Sequence, residues 1–465
     1  MDAVLDYLEQ NQKRFVAELA EYVRFASVSA QTAHNGDMAR CATWLVKHCQ
    51  QIGLHARLCP TAGHPVVLAS TPTHRRRRGQ PRRRHFMVYG HYDVQPPEPF
   101  ELWQTLPFEP VVRNGALFGR GASDNKGQHF AHLKAVEAYL KTGALPPVDL
   151  TFVIEGEEEV GSRSLEGFLK SHRSLLWDCD GVVVSDTGMP GPRHPALTYA
   201  LRGIASLEII LHGPARDLHS GIFGGSVENP AMALCQLLAR VRDEHGRITI
   251  PGFYEGVLPL SRFEREQLAR IPFNAEAYRR FLGVPRLFGE RGYTPNEQRT
   301  ARPTFEINGL TSGYQGEGGK TIIPAWARAK ITARLVPKQN PQRVLRRICA
   351  FLKKHCPPTV RLEIREARGS EAYYVSPQSA DAQAALRALR AAFNAEPLLL
   401  REGGSIPIVN QFKKILGLDT LLVGLALPDD NAHSPNEKFD LDVFARGQRT
   451  SALLWQELAN HGKRA

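Results

Sequence analysis

Three short apolar runs constrain this chain more than any other feature: Phe-Met-Val-Tyr at 86–89, Leu-Thr-Phe-Val-Ile at 150–154 and Val-Val-Val at 182–184. Each is too short for a helix and too continuously apolar for a strand with one wet face, so each reads as a strand buried on both faces. Around them lie segments with apolar residues at helical spacing: 2–26 (Leu5, Leu8, Phe15, Leu19, Val23), 38–52 and 128–141. Strands of this kind alternating with helices predict an α/β domain built on a mixed, largely parallel sheet.

Near residue 200 the pattern changes. Residues 204–211 alternate like an antiparallel strand, 230–241 read as helix, and 251–298 form a long polar, irregular stretch. Two strand-like segments, 328–336 and 360–365, then flank a helical 341–355. After 374 the first pattern returns, with a helix at 381–394 and an apolar run at 420–427. The economical reading of 465 residues is one α/β domain, segments 1–199 and 376–465, interrupted by an inserted α+β domain at 200–375. No internal repeat is visible.

Composition excludes several classes. At 42% hydrophobic and 23% charged residues, the chain is neither disordered nor collagen-like. No apolar run approaches the roughly 18 to 20 residues that span a bilayer, and Asp2, Asp6 and Glu9 stand where a signal peptide needs basic and then apolar residues. The expectation is a cytoplasmic protein with no membrane partner. Seven irregularly spaced cysteines predict reduced structural thiols. Of the net charge of +12, seven charges come from Arg75 to Arg78 and Arg82 to Arg84, which leaves an ordinary balance elsewhere. That basic segment lies between the apolar stretches 66–69 and 86–89, with Gly79 and Pro81 marking a turn, and reads as a solvated hairpin tip. It has no interleaved aromatic platform, so no nucleic-acid partner is expected; a soft contact with an anionic surface stays open.

The chemistry is expected where the strands end. The first run leads into Gly90-His91-Tyr92-Asp93, the second into Glu155-Gly156-Glu157-Glu158-Glu159, the third into Ser185-Asp186, and the 420–427 run into a loop holding Asp429, Asp430 and His433. In open α/β sheets ligands bind outside the carboxyl ends of the strands, so these four ends point to one site. A fifth segment, Gly121-Ala122-Ser123-Asp124-Asn125-Lys126-Gly127, precedes the 128–141 helix and taken alone is a capped glycine loop. Converging Asp124, Glu158, Glu159 and Asp186 would repel one another strongly without cations. Two divalent metals, opposed by three ligand carboxylates and a hydroxide, would make a nearly neutral cluster. Oxygen-rich ligation with two histidines suits zinc, and also manganese or cobalt.

At these residues the sequence resembles the dinuclear-metal peptidases that include carnosinases, cytosolic non-specific dipeptidases, acetylornithine deacetylases and glutamate carboxypeptidases. Gly90 to Pro96, Gly121 to Gly127, Glu158-Glu159 with Gly161-Ser162, Ser185-Asp186, His219-Ser220-Gly221 and His433 to Lys438 match in order along nearly the whole chain. The resemblance implies that His91 and Asp186 hold one metal, Glu159 and His433 the other, and Asp124 bridges both. It makes Asp93 the residue that orients His91, and Glu158 the general base that activates a metal-bridging water. The inserted domain becomes a lid and dimerisation domain, with His219 reaching across a homodimer to the oxyanion of the transition state.

The stretches Thr321 to Pro324, Arg334 to Pro337 and Arg401 to Pro407 resemble the dipeptidase and carnosinase branch. That branch implies Arg334 on a substrate's terminal carboxylate, Glu402 on its free amine, and Thr321, Gly404 and Ser405 hydrogen-bonding a small peptide substrate. The expected activity is hydrolysis of dipeptides; the alternative is an N-acyl-amino-acid or N-carbamoyl amidohydrolase using the same metals.

Overall fold

A computed structural model describes residues 1–72, 82–404 and 406–461. Ser405 and most of the basic segment, 73–81, lie outside the described residues. The chain divides into two compact units, Met1–Tyr199 with Val375–Leu400 and Ile408–Ala465, and Ala200–Tyr374 with Arg401–Pro407. In chain order the principal strands are β1 (His55–Cys59), β2 (Val66–Ser70), β3 (His85–His91), β4 (Asp149–Glu155), β5 (Gly181–Val184), β6 (Ala196–Leu201), β7 (Gly203–His212), β8 (Thr304–Ser312), β9 (Trp326–Leu335), β10 (Arg361–Ser370) and β11 (Thr420–Gly424).

In the first unit a sheet runs in the order β1-β2-β4-β3-β5-β11-β6. Its four central strands, β4, β3, β5 and β11, are parallel, while β2 pairs with β4 and β6 with β11 in antiparallel fashion. The three apolar runs are thus buried central strands, as their composition requires. The helix Gln128–Lys141 is buried nearly all round, as is expected of a helix enclosed in a core; it packs with Leu441–His461, where Phe130 stacks on Phe444 at 6.5 Å. Gly90 lets β3 approach this helix closely, since a Cβ there would lie 2.6 Å from the His129 side chain.

The sheet order corrects the hairpin reading. β4 lies between β2 and β3, so 66–70 and 85–91 are not hairpin partners. Continuity in sequence suggested a hairpin, but β3 makes its ladders in parallel with β4 and β5 instead. The basic residues nearest β3 are paired: Arg82 with Asp180 at 2.5 Å, Arg83 with Asp149 at 3.1 Å and Arg84 with Asp381 at 2.6 Å.

The second unit is an antiparallel sheet, order β8-β9-β7-β10. β7 and β9 alternate buried and less buried residues, and their buried faces pack with the helices Pro230–Ala239 and Pro341–His355 into one apolar core. Asn340 caps the second helix by accepting from Arg343 N, with Pro341 at its first position. The polar 251–298 stretch is less irregular than its composition suggests. It contains the short helices Arg262–Ala269 and Ala275–Leu282 and the start of Pro295–Ala301, all begun by side-chain caps. Such helices rest on capping and ion pairs, so they leave little apolar periodicity to read.

One boundary moves. Residues 401–407, assigned from sequence to the returning α/β segment, belong to the second unit. Arg202 N–H donates to Glu402 O and Gly404 O, and Arg401 pairs with Glu264, contacts that composition does not reveal. Val375 falls on the other side of the junction and donates to Tyr199 O.

Candidate metal and active site

The carboxyl ends of the four parallel strands and the loop before the Gln128–Lys141 helix bring five residues together. His91 ends β3; its Nε2 is 3.2 Å from Asp124 Oδ1 and 3.6 Å from Asp186 Oδ1. His433 Nε2 is 2.9 Å from the other Asp124 oxygen and 3.4 Å from Glu159 Oε2. His91, Asp124 and Asp186 therefore form one ligand group, Asp124, Glu159 and His433 a second, and they share Asp124 through its two oxygens. Asp124 sits between Gly121, at φ 85°, and the buried helix, and His433 occupies the left-handed region at φ 62°. A non-glycine residue there is uncommon, and functional loops are where it recurs.

His91 is held in one orientation. Its Nδ1 is 3.0 Å from Asp93 O and 3.3 Å from the Asp93 carboxylate, which leaves Nε2 to face the two aspartates. Asp93 also accepts from Glu158 N, Glu159 N and Ser29 Oγ, tying the β3 end to the glutamate turn. Glu158 lies on this turn beside Glu159, and its carboxyl is raised well above the usual range by burial and by Asp186, Glu159 and Asp124, against the pull of His91.

The whole cluster draws positive charge. Burial and neighbouring carboxylates raise Glu159 and Asp186. Asp124 and Glu159 push His433 up to about 10, and three aspartates raise His91 despite its burial. Burial alone would raise Asp124 too, but the two histidines outweigh it and hold it low. Two buried polar atoms, His91 Nε2 and Glu159 Oε1, have no hydrogen-bond partner among the described residues. Orphaned ligand atoms aimed into an acid-rich cluster are what a bound cation satisfies, so the donor set fits divalent metal.

The sequence-family model for peptidase family M20/M25/M40 matches residues 87–457, a span that contains all of these groups. The chain belongs to that family. Among its relatives, a Cys-Gly metallodipeptidase of Candida albicans is 33% identical, covering 97% of this chain and 96% of the relative. The human Beta-Ala-His dipeptidase is 29% identical over 99% and 93% of the two chains. Of solved structures, a di-peptidase of Saccharomyces cerevisiae superposes with a TM-score of 0.80 at 30% identity, covering 99% and 98% of the two chains. This M20 protein is therefore a peptidase of a metal-dependent family.

The structure also reveals supporting residues to which the sequence assigned no role. Buried Glu437 accepts from Gly121 N, Ser123 N and Asp124 N and pairs with Arg120 at 2.8 Å, so one carboxylate pins the loop that presents Asp124. Asn125 donates to Asp186 Oδ1 at 2.8 Å, and Gln95 donates to Glu159 Oε2 at 2.7 Å. Glu437 and Gln95 fall inside the matched motifs, but only their partners show what they do.

The other expected site residues of this M20 peptidase that the structure describes, His219, Thr321, Arg334, Glu402 and Gly404, are in the second unit. The short ladder Leu218–His219 with Ile322–Ile323 sets exposed His219 beside the backbone of Thr321, whose carbonyl accepts from Ser220 N at 3.1 Å. His219 Nδ1 accepts from Gly221 N at 3.0 Å, so the ring proton lies on Nε2, a donor. Arg334, on β9, stands opposite Ile204 and Thr304. Burial, with a smaller contribution from the Arg334 charge and against the pull of Glu306, lowers Arg202 to about 10. Gly403 permits the approach of 401–404: a Cβ there would lie 2.7 Å from Arg299 O and 3.1 Å from Arg202 Nη2.

Proposed function

We propose that this protein hydrolyses the peptide bond of dipeptides, with two divalent metal ions per chain, zinc before manganese or cobalt. The observation that carries the reading is the pair of ligand groups sharing Asp124, with Glu158 buried beside them. His91 and Asp186 would hold one ion, Glu159 and His433 the other, and Asp124 both. When bound, the ions supply Lewis acidity and lower the pKa of water to near neutrality.

The chain's own groups do the rest. Glu158 takes the proton of the attacking water as oxygen adds to the scissile carbonyl, then delivers it to the leaving amine as the C–N bond breaks. Asp93 keeps His91 oriented for its metal. The Nε2–H of His219 is a donor suited to a developing oxyanion, supplied across a homodimer. Exposed Ile307 and Leu310 on the edge strand β8 support association through the inserted domain. Arg334 pairs with the substrate's terminal carboxylate through its planar guanidinium fork. Glu402 meets the free amine, and Thr321, Gly404 and Ser405 add hydrogen bonds. Similarity to dipeptidases across nearly the full chain favours this reading over the amidohydrolase.

Two measurements test it. Glu158→Gln should abolish turnover while metal content stays near two ions per chain; loss of one full equivalent would make Glu158 a ligand and overturn its assignment as base. A dipeptide, its C-terminal amide and its N-acetyl form should differ by orders of magnitude in kcat/KM, because a buried charge without its partner costs several kcal/mol. Arg334→Ala should erase most of the difference between acid and amide. Equal rates on all three would favour the amidohydrolase.

A further inference from the structure

At the opposite end of β3, three residues of different chemistry meet outside the catalytic cluster. His85 opens the strand; its Nδ1 is 2.9 Å from Asp178 Oδ1, and Cys179 Sγ is 3.6 Å from the same nitrogen and 3.7 Å from Nε2. One ligand atom from each of His85, Asp178 and Cys179 lies within 4.8 Å of the others. His91 lies six residues along the strand, which at about 3.3 Å per residue sets the two clusters roughly 20 Å apart.

Three features favour a metal over a chance contact. The His85 backbone is clamped, its N–H donating to Asp180 Oδ2 at 2.8 Å and its carbonyl accepting from Asp180 N at 2.6 Å. Thr151 Oγ1, on the adjacent β4, meets Nε2 at 2.9 Å. A partner on Nε2 leaves Nδ1 to the carboxylate, the arrangement by which metal-bound imidazoles are usually oriented, while the thiol lies at nearly equal distances from both ring nitrogens. Finally, Cys179 is buried while the Asp178 side chain is 46% exposed, so the cluster has a rigid floor and an access path from solvent.

Another cluster of titratable groups in the same unit already carries a cation. Glu18, His48 and Glu137 also converge, but the Lys134 ammonium already sits among them, 2.7 Å from His48 Nε2 and 2.8 Å from Glu137. That cluster holds its own cation. At the His85 cluster the nearby cation is Arg82, whose guanidinium donates to Asp178 O and Asp180 Oδ1 while its charge is felt at the Cys179 thiol.

We propose that His85, Asp178 and Cys179 form a second, peripheral metal site that takes one borderline-soft divalent ion, zinc or cobalt, with solvent completing a tetrahedral shell. Sulfur and nitrogen ligands select such ions over magnesium or calcium. Binding forms the metal–sulfur bond as the Cys179 thiol releases its proton to solvent; thiolate and carboxylate together neutralise the ion.

Cobalt(II) titrated into metal-stripped enzyme tests this directly, because the catalytic ligands are histidines and carboxylates and only a cysteine yields an intense thiolate-to-cobalt charge-transfer band. The expected result is a band whose final amplitude corresponds to one cobalt–thiolate centre per chain, absent in Cys179→Ser, with dipeptidase activity of Cys179→Ser unchanged. Asp178→Asn, at an exposed position where folding is not at stake, should weaken cobalt binding at least tenfold. No band in the wild-type enzyme, a band that persists in Cys179→Ser, or unchanged affinity in Asp178→Asn would overturn the assignment.

Discussion

His48 shows how one side chain carries a stability signal. Its ring packs against Trp44 and Phe130, which also touch each other, and burial, reinforced by the Lys134 charge against the pull of Glu137, lowers its pKa from 6.5 to about 3. The fold therefore holds His48 neutral, as the acceptor for Lys134. A depressed pKa contributes stability that is fully present above 6.5 and is lost as pH falls toward 3, at about 1.4 kcal/mol per pH unit. His48→Gln keeps an acceptor oxygen but does not titrate. Chemical denaturation at pH 6.5 and pH 5 should show the variant losing less stability than the parent over that interval; equal losses would assign the acid sensitivity to other groups.

Elements carry the site by how closely they approach, and the loop of Asp124 is the sharpest case. Gly127 ends that loop where a Cβ would lie 2.2 Å from Ala122 O and 2.4 Å from the Phe439 ring. Backbone on one side and a buried ring on the other leave no room to give. Gly127→Ala should cost about 1 to 3 kcal/mol of stability, the range for overpacking, and lower metal content with it. Gly167→Ala is the matched control, exposed in the helix Leu165–Ser171 with no described atom within 4 Å of the added carbon. It should be neutral or gain up to about 1 kcal/mol. Melting temperature and metal analysis on both variants decide it. The helix Pro341–His355 was legible because its apolar periodicity is local to the chain. Helices at 262–301 were not, because their support is ionic and capping rather than apolar.

At the scale of the whole molecule, the proposal requires a neighbouring chain to supply His219. Mixing inactive His219→Ala with inactive Glu158→Gln should then restore part of the activity once subunits exchange, since one hybrid site holds both original groups. Sedimentation should give a dimer that Ile307→Lys with Leu310→Lys dissociates with loss of activity. A fully active monomer would refute the dimer and leave His219 without its role.

The sequence by itself determined the residue types at the strand ends, the buried parallel strands and the change of pattern near 200, because periodicity and apolar runs are properties of near neighbours along the chain. Tertiary structure alone decided which distant groups meet. It set β4 between β2 and β3, moved 401–407 to the second unit, made Glu437 the pin of the Asp124 loop, and brought Cys179 beside His85. Each of these depends on which strands and loops become neighbours, and that follows from the lowest free energy of the assembled core rather than from any local pattern.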